Sequence, residues 1–313
     1  MSPLTPRPGH RLLRCPICRL DLIAAAGALV CRARHSFDLA REGYVNLLRG
    51  RRRRPASSGD SQERLRHRTA FLDAGHFDDI ALNIAEYIQQ SDTQPIFGEW
   101  RILDAGSGTG HHLARIAQAL SQPVVGIGID ISRDAARQAA RRWPRLAFAV
   151  ADLWTEWPLQ DAAVDLVVSI FAPKNFPEAA RVLRQGGWLT VVYPGVDHMT
   201  ELRERLGLMR RHEAADRRYA DAVTSFVGPQ TVKRLRWKTV LDDLAIRSAI
   251  LMGPNARHIA ASTLDGELGP MSVTCDFIML FARKSEGRTP NVLDDFPKQR
   301  DDLLGRVAIG EPG

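Results

Sequence analysis

The sequence has few cysteines, no apolar run long enough to cross a membrane, and no lysine among its first 70 residues. Four cysteines in 313 residues are too few for a disulfide-stabilised scaffold. The amino-terminal segment lacks the apolar core of a secretory signal peptide, and no stretch approaches the length of a transmembrane helix. We therefore expect a cytoplasmic protein without a membrane partner. With 44% hydrophobic residues, the chain can bury a substantial core.

Three glycines at alternate positions follow a short apolar run between Arg101 and Gly110. Ile102-Leu103 is typical of the end of a buried strand. Residues 111–120 have the pattern of the helix that follows the glycines. Glycine is needed where the backbone turns tightly or where a ligand presses on main-chain atoms. A dinucleotide fingerprint would have its third glycine at position 111, whereas Asp-x-Gly-x-Gly-x-Gly is typical of S-adenosylmethionine (SAM) sites. A glycine-rich turn without a ligand is the alternative. The predicted donor-binding residues here are Asp104, Gly106, Gly108, Thr109, Gly110, His111 and His112.

Strand and helix patterns alternate after this loop. Apolar runs predict strands at 124–129, 146–150, 165–171 and 188–193, with a helix over 178–183 and a turn at 184–187. Asp130 ends the first of these runs, where a carboxylate can accept two hydrogen bonds from the ribose of the donor. Asp152 follows the second run and is predicted to contact the adenine, a helix cap or solvated turn being the alternative. The alternation predicts an α/β fold of the doubly wound, Rossmann-like kind found in class I SAM-dependent methyltransferases.

A second motif lies near the amino terminus. Cys15 and Cys18 form a Cys-x-x-Cys pair, twelve residues separate Cys18 from Cys31, and three residues separate Cys31 from His35. Zinc prefers a tetrahedral set of thiolate and imidazole ligands, which two tight turns can supply in pairs. We predict one structural Zn²⁺, because a module this small rarely folds without a metal or a disulfide. A redox Cys-x-x-Cys or a chance spacing would leave the third cysteine and the histidine unexplained. Cys275, alone in an apolar run, is predicted to be a buried core thiol.

Positive charge is concentrated at the amino-terminal end. Residues 1–70 hold 15 arginines and 5 acidic residues, a sum of +10, whereas the chain as a whole is +7 and the remaining 243 residues therefore sum to −3. The excess is greatest in the arginine run at 49–54. Clustered guanidinium groups suit phosphate, so nucleic acid is the predicted partner. A solvated run that improves solubility is the alternative.

These observations divide the chain into four parts. We predict a zinc-binding RNA-recognition module at 11–47, a basic linker and helix at 48–75, a methyltransferase domain at 76–285 and a loose polar tail at 286–313. Asp60 or Ser61 can cap a helix through Leu72, and a second helix is expected over 77–90. The segment from 195 to about 250 has a charged, helix-like pattern, and an insertion at this point usually shapes the substrate pocket.

The combined pattern resembles the bacterial large-subunit rRNA guanine-N1 methyltransferases, which modify a guanine in the loop of hairpin thirty-five of 23S rRNA. The resemblance covers about residues 12 to 285. It rests on the zinc motif, on Glu42-Gly-Tyr-Val-Asn-Leu-Leu48, on Gly59-Asp-Ser61 and on the glycine loop. It also includes Phe71-Leu-Asp-Ala-Gly-His-Phe77, Phe171-Ala-Pro173 and 194–198. The resemblance implies SAM as cofactor, a 23S rRNA hairpin as partner and a homodimer whose zinc modules flank one RNA.

Within that family the sequence is most similar to members from macrolide-producing actinomycetes. The similarity lies in Gly108-Thr-Gly-His-His-Leu-Ala-Arg115, Phe171-Ala-Pro-Lys-Asn175 and Met252-Gly-Pro254. Those members methylate a neighbouring guanine in the same loop and confer resistance to tylosin- or mycinamicin-type drugs, because the methyl group clashes with the bound macrolide. The resemblance therefore implies self-protection. Ala105 and Ser107 depart from the family pattern, at positions that tolerate variation.

The reaction itself predicts an acceptor site beyond the fourth and fifth strands. Guanine N1 must lose its proton and face the sulfonium methyl, so positioning supplies much of the acceleration and a general base about 10²–10⁴-fold more. The candidate catalytic residues are His198, Asp197 and Asn175; for His198, a structural role satisfied by backbone is the alternative. A target base in a hairpin loop is the easiest to unstack.

Three other functions stay open at this point. Housekeeping methylation of the neighbouring guanine would need the same residues without a resistance role. A non-catalytic zinc-containing RNA-binding protein could retain the fold without the reaction. A small-molecule methyltransferase would share the donor loop but would not account for the basic amino-terminal part.

Overall fold

The computed structural model describes residues 5–48, 61–208, 214–253 and 268–285, with single residues at 256, 264 and 266. The arginine run at 49–54, the possible cap Asp60, Pro254 and the tail at 286–313 lie outside the described residues. None of the helices in the described ranges is long and apolar enough to span a bilayer.

The described residues form eleven strands and eight α-helices, preceded by a 3-10 helix at Pro8–Leu12. The strands are β1 Ile23–Ala25, β2 Ala28–Val30, β3 Ser36–Asp38, β4 Tyr44–Asn46, β5 Trp100–Ala105, β6 Val124–Asp130, β7 Ala147–Val150, β8 Val164–Ile170, β9 Leu183–Pro194, β10 Gln230–Leu241 and β11 Met271–Arg283. The helices are α1 Gln62–Asp73, α2 Asp78–Gln90, α3 His111–Ala119, α4 Arg133–Arg142, α5 Phe176–Val182, α6 Thr200–Leu206, α7 Ala214–Phe226 and α8 Asp243–Leu251.

One mixed sheet of eight strands organises the fold, in the order β10-β11-β9-β8-β5-β6-β7-β4. Strands β4 to β9 of this sheet pair in parallel, while β11 runs antiparallel to both β9 and β10. From β5 the chain moves outward through β6 and β7, then returns to build β8 and β9 on the other side. Such a reversal opens a crevice at the carboxyl ends of the strands, where ligands bind. The predicted doubly wound α/β fold is confirmed.

The first two helices form where the sequence predicts them. Ser61 caps α1, its hydroxyl accepting a hydrogen bond from the Arg64 amide at 3.2 Å. Helix α2 buries Ile80, Ile84 and Ile88, whose spacing of four puts them on one face. Cys275 is a buried core thiol on β11, as predicted.

Two expectations about the carboxyl-terminal half were wrong. The predicted turn at 184–187 lies within β9, where a register shift between Val164 and Leu166 of β8 accommodates the extra residues as an irregularity. The segment 195–250 is not helical throughout, because 230–241 forms strand β10. Its outward residues are charged, which imitates a solvated helix, but Leu235 and Trp237 pack inward at a period of two.

The zinc module is continuous with the sheet rather than tethered to it. Its strand β4 pairs in parallel with β7 and forms one edge of the eight-stranded sheet. Leu13 and Val45 of the module belong to the same buried cluster as Leu103 and Ile127 of the central strands. The Arg7 guanidinium donates to the carbonyl oxygens of Leu146 and Ala140 at 2.7 and 2.8 Å, and of Trp143 and Glu42 as well. The zinc module and the sheet therefore share one buried cluster.

Candidate functional site

The structure brings the four predicted zinc ligands together. Their ligand atoms all lie within 4.8 Å of one another. Nδ1 of His35 is 3.5 Å from Cys15 Sγ and 3.4 Å from Cys31 Sγ, and the sulfurs of Cys18 and Cys31 are 3.5 Å apart. Zinc bonded at about 2.0–2.3 Å to tetrahedral ligands holds them roughly 3.5–3.8 Å apart. The residues present fit one structural zinc with no open position.

Two tight turns supply these ligands in pairs. The Arg19 amide donates to the Cys15 carbonyl and the Arg34 amide to the Cys31 carbonyl, both at 2.9 Å. Arg19 and Arg34 have φ angles of 63° and 65°, so each turn reverses sharply just beside a ligand. Burial acts to raise the pKa of Cys31, but hydrogen bonds from the His35 backbone and from the Cys18 and His35 side chains bring that pKa to about 7. This favours the thiolate that zinc requires.

The glycine loop joins β5 to α3 with backbone angles that side chains rarely adopt. Gly106, Gly108 and Gly110 have φ of 91°, 51° and 73°. A Cβ on Gly106 would lie 2.3 Å from the Ala172 Cβ, and one on Gly110 would lie 2.7 Å from the Phe148 ring. The predicted glycines are therefore required by close packing as well as by conformation.

Asp130 anchors the loop at the end of β6. One carboxylate oxygen accepts from the Gly108 amide at 2.9 Å and the other accepts from the Ser132 amide at 2.8 Å. Asp152 lies at the end of the adjoining strand, where its carboxylate accepts from the Trp154 amide at 3.0 Å. Thr109 is buried and its carbonyl accepts from the Trp143 indole. The structure thus brings the predicted ribose and adenine contacts to one edge of the sheet.

Asp104 is a buried carboxyl group at the start of this loop. Burial and the neighbouring charge of Asp130 raise the pKa of Asp104 to about 7. Two carboxyl groups held together in this way suit a cationic ligand, because a positive charge relieves both burial and mutual repulsion. The ammonium and sulfonium groups of SAM have that character, so the donor set fits this cofactor.

The two predicted histidines of α3 have different surroundings. His111 is buried, and its Nε2 lies 2.9 Å from Asp78 Oδ1, which ties α3 to the start of α2. Nδ1 of His112 is buried and has no hydrogen-bond partner among the described residues. Burial, then the charge of His111, lowers the pKa of His112 to about 3, so its ring is neutral. The ring of His112 lies 6.3 Å from that of Phe171, which places it between the donor loop and the end of β8.

Aromatic rings gather beyond the carboxyl ends of β8 and β9. We call Phe77, Phe171, His198, Trp237 and Phe277 the acceptor cluster. The Phe277 ring is its centre, with ring centroids at 5.0 Å for Phe77, 5.4 Å for Phe171, 4.6 Å for His198 and 5.5 Å for Trp237. Phe171 has φ of 54° and is 42% exposed, although it is apolar. An exposed ring held in a strained backbone next to the donor loop suits stacking against a flat ligand.

The three candidate catalytic residues have unequal positions. His198 belongs to the acceptor cluster, and its Nδ1 accepts from the Asp276 amide at 3.4 Å. Asp197 forms ion pairs with Arg234 at 2.8 Å and Arg236 at 3.3 Å.

Asn175 caps α5 and is fully engaged in the scaffold. Its Oδ1 accepts from the Glu178 amide, and its Nδ2 donates to the carbonyl oxygens of Leu153 and Thr155. Only His198 of the three therefore faces the rings of the acceptor cluster.

Four members of the acceptor cluster were not predicted as site residues. Phe77, Phe171, Trp237 and Phe277 lie far apart in the sequence. Only an indirect indication was available in the sequence for two of them: Phe77 and Phe171 lie in segments that carry the family resemblance. Trp237 lies between Arg236 and Lys238, and Phe277 lies in the apolar sequence of β11; both patterns indicate burial rather than function.

Comparison with known proteins agrees with this arrangement. Residues 13–54 match the family model described as "RlmA, N-terminal", a zinc ribbon, and residues 102–187 match that of a methyltransferase domain. A protein of Micromonospora griseorubida that is named for 23S rRNA (guanine-N(1)-)-methyltransferase activity is 39% identical over 83% of this chain and 92% of its own. The 23S rRNA (guanine(748)-N(1))-methyltransferase of Streptomyces fradiae is 38% identical over 79% of this chain and 86% of its own. The YxjB protein of Bacillus subtilis, named for 23S rRNA (guanine-N(1)-)-methyltransferase activity, is 34% identical over 87% of this chain and 97% of its own.

The reversed strand order, the glycine loop and the acidic residues at the ends of β5 and β6 define a class I SAM-dependent methyltransferase. The cysteine-histidine cluster adds a zinc ribbon to that class. The chain belongs to the 23S rRNA (guanine-N1)-methyltransferase family.

Proposed function

We propose that the protein transfers a methyl group from SAM to N1 of a guanine in a 23S rRNA hairpin loop. The observation that carries this proposal is the contact between the donor loop and the turn after β8. Gly106 lies against Ala172, and the preceding residue is the exposed Phe171. An unstacked base resting on that ring would be next to the donor loop. The names of the relatives supply the nucleic acid and the atom.

Asp104, Gly106, Gly108, Thr109, Gly110, His112, Asp130 and Asp152 are the residues that would hold the donor, with His111 fixing α3 behind them. SAM supplies an activated methyl group when it is bound. The protein must orient guanine and favour the form of the base that has lost the N1 proton. As that proton leaves, negative charge moves onto guanine O6, and a hydrogen-bond donor near O6 would stabilise it.

We assign that donor role to His198 rather than the role of general base. Since its Nδ1 accepts from a backbone amide, the proton of the neutral ring resides on Nε2. A ring in this form donates on its other side. The N1 proton would then pass to water, and Asp197, held by two arginines, would keep the loop before α6 in place.

The reaction is tested with purified zinc-loaded protein, labelled SAM and 23S rRNA from an unmodified strain. We expect label in the RNA and a primer-extension stop at one guanine of the hairpin loop. His198→Ala should reduce kcat about 10²-fold, as for loss of one donor to a developing oxyanion. His198→Gln, which keeps an N–H donor, should recover part of that rate. Absence of transfer to any RNA would refute the function, and equal rates for both variants would refute the role of His198.

We further propose the macrolide-resistance subtype. The two actinomycete relatives are 39% and 38% identical to this chain and the Bacillus relative 34%. Expression in a susceptible host should raise the inhibitory concentration of tylosin or mycinamicin, and the Gly106→Ala variant should not. A methylated loop guanine with unchanged drug susceptibility would instead indicate housekeeping methylation. Cytoplasmic location and homodimer formation stay predictions.

A further inference from the structure

An arginine-lined cleft lies between α1 and α4, outside the donor and acceptor sites. It encloses about 590 Å³ and is lined by Gln62, Leu65, Arg66, Asp134, Arg137, Gln138, Arg141 and Arg142. The two helices are fastened across it, since the Gln138 amide donates to the Thr69 hydroxyl at 2.7 Å and Arg142 pairs with Asp73 at 2.6 Å. The cleft is therefore a built feature of the surface rather than a gap between independent elements.

Helix α4 has a packing face and, on the opposite side, a cationic face. Ala135, Ala136, Ala139 and Ala140 are buried against the sheet, so small side chains supply the packing of this helix. Arg133, Arg137 and Arg141 recur at intervals of four and lie one above another on the opposite side. Like charges at this spacing destabilise an isolated helix slightly, and the fold gains no core contact from them.

The charge in the cleft is only partly balanced within the described part of the chain. Arg137 pairs with Asp134 at 2.8 Å, and Arg142 pairs with Asp73. Arg66 and Arg141 are exposed and form no ion pair or hydrogen bond with a described residue. Two exposed guanidinium groups facing one cleft suit a ligand with regularly spaced negative charges.

The position of the cleft connects both halves of the proposed RNA site. Arg68 on α1 lies beside the glycine loop, its guanidinium 3.2 Å from where a Cβ on Gly108 would be. At the start of α4, Arg133 Nε donates to the Tyr44 hydroxyl of β4 at 2.9 Å. The cationic surface therefore extends from the zinc module, along α4, to the rim of the donor site.

We propose that this cleft binds the phosphate backbone of the substrate RNA and so fixes the strand whose base enters the acceptor cluster. The proposal rests on the proposed function. In it, Arg66 and Arg141 each contact one backbone phosphate directly. The zinc module then supplies one part of the RNA contact, and the methyltransferase sheet presents the other.

The test uses the whole zinc-loaded protein and an RNA hairpin with the loop of hairpin thirty-five, with affinity measured by fluorescence anisotropy from low to high KCl. Removing two phosphate contacts with Arg66→Gln plus Arg141→Gln should weaken binding at least tenfold at low salt. The slope of log K against log salt should fall by roughly 1.4–1.8, at about 0.7–0.9 for each lost contact. The lysine pair, Arg66→Lys plus Arg141→Lys, should retain most of the slope.

Arg283→Gln is the matched control. Arg283 is exposed and pairs in the sheet with Trp188, at the edge opposite the donor loop, so its loss should leave affinity and slope unchanged. In steady state, the double glutamine variant should raise KM for RNA and leave kcat and donor affinity near their wild-type values. Wild-type RNA affinity and slope in that variant would overturn the cleft proposal, as would weakened donor binding. If wild-type protein itself failed to methylate RNA, the proposed function would fail instead.

Discussion

Gly106 is held in its conformation from two directions. Its φ of 91° lies in a region that disfavours any side chain, and Ala172 occupies the space that a Cβ would need. The same contact sets the distance between the donor loop and Phe171. A change at this one position should therefore disturb the donor site and the acceptor cluster together.

We expect Gly106→Ala to weaken SAM binding at least tenfold, because backbone strain of about 1–3 kcal/mol is added to a direct clash. Isothermal titration calorimetry with SAM and with its demethylated product measures the effect. Gly98→Ala is the control, since Gly98 has φ of 69° but nothing within 4 Å of its Cβ position. Equal SAM affinity in the two variants would show that packing at Gly106 does not determine how tightly the loop binds SAM.

Asp104 makes stability depend on pH. Its folded-state pKa of about 7 lies above the ordinary value of 3.8, so the folded protein keeps a proton that the unfolded chain releases. Stability should therefore fall as pH rises from about 4 to 7, by up to about 4 kcal/mol for three pKa units. In scanning calorimetry without donor, the Tm of Asp104→Asn should equal that of the wild type near pH 4. Above pH 7, the Tm of the variant should be higher than that of the wild type. A difference in Tm that does not change with pH would contradict this.

At the scale of elements, α5 depends on its cap. Asn175 accepts from the buried Glu178 amide and donates to the carbonyl oxygens of Leu153 and Thr155, so Asn175→Ala removes three hydrogen bonds and leaves the Glu178 amide without its capping partner. We expect a loss of about 1–3 kcal/mol in the free energy of unfolding, measured by urea denaturation. At a temperature where the variant is folded, kcat should stay within a few-fold of the wild type. A much larger loss of kcat in folded protein would restore Asn175 as a catalytic residue.

The zinc module contributes to the stability of the whole sheet, because its strand β4 is an edge strand of that sheet. We expect Cys18→Ala to lose the metal and to lower Tm for the whole molecule in one transition. Elemental analysis should give one zinc per chain for the wild type and for Cys275→Ala, which removes a thiol outside the cluster. Separate transitions in Cys18→Ala, with the sheet melting as in the wild type, would show that the module is thermodynamically independent.

Elements differed in how far local sequence could predict them. Strands β5 to β9 and helices α1, α2, α3 and α5 were recognisable because each carries its own apolar pattern. Strand β10 was not recognisable, because its exposed cations give it the pattern of a solvated helix. Its pairing partner β11 lies about 40 residues away in the sequence. The role of β4 was also unpredictable, because three residues contain no signal for the strand they pair with.

At the scale of the whole molecule, charge is unevenly divided. The first 70 residues sum to +10 and the other 243 to −3. RNA affinity should therefore fall steeply with salt, by about 0.7–0.9 in log–log slope for each phosphate contacted. The affinity for SAM, a small zwitterionic cation held in a buried loop, should change little over the same range. Anisotropy and calorimetry at matched KCl concentrations compare the two, and parallel slopes would argue against an extended phosphate surface.

The sequence by itself determined the glycine loop, the zinc ligands, the alternation of strands and helices along the chain, and the motifs of the family. Each of these depends on residues close together in the chain, because a tight turn or a metal knuckle is a local arrangement. Only the tertiary structure decided which aromatic rings surround the acceptor position, that Asn175 belongs to the scaffold, and that the zinc module shares one core with the sheet. Those outcomes depend on side chains brought together from distant positions, since burial and sheet pairing are properties of the folded molecule.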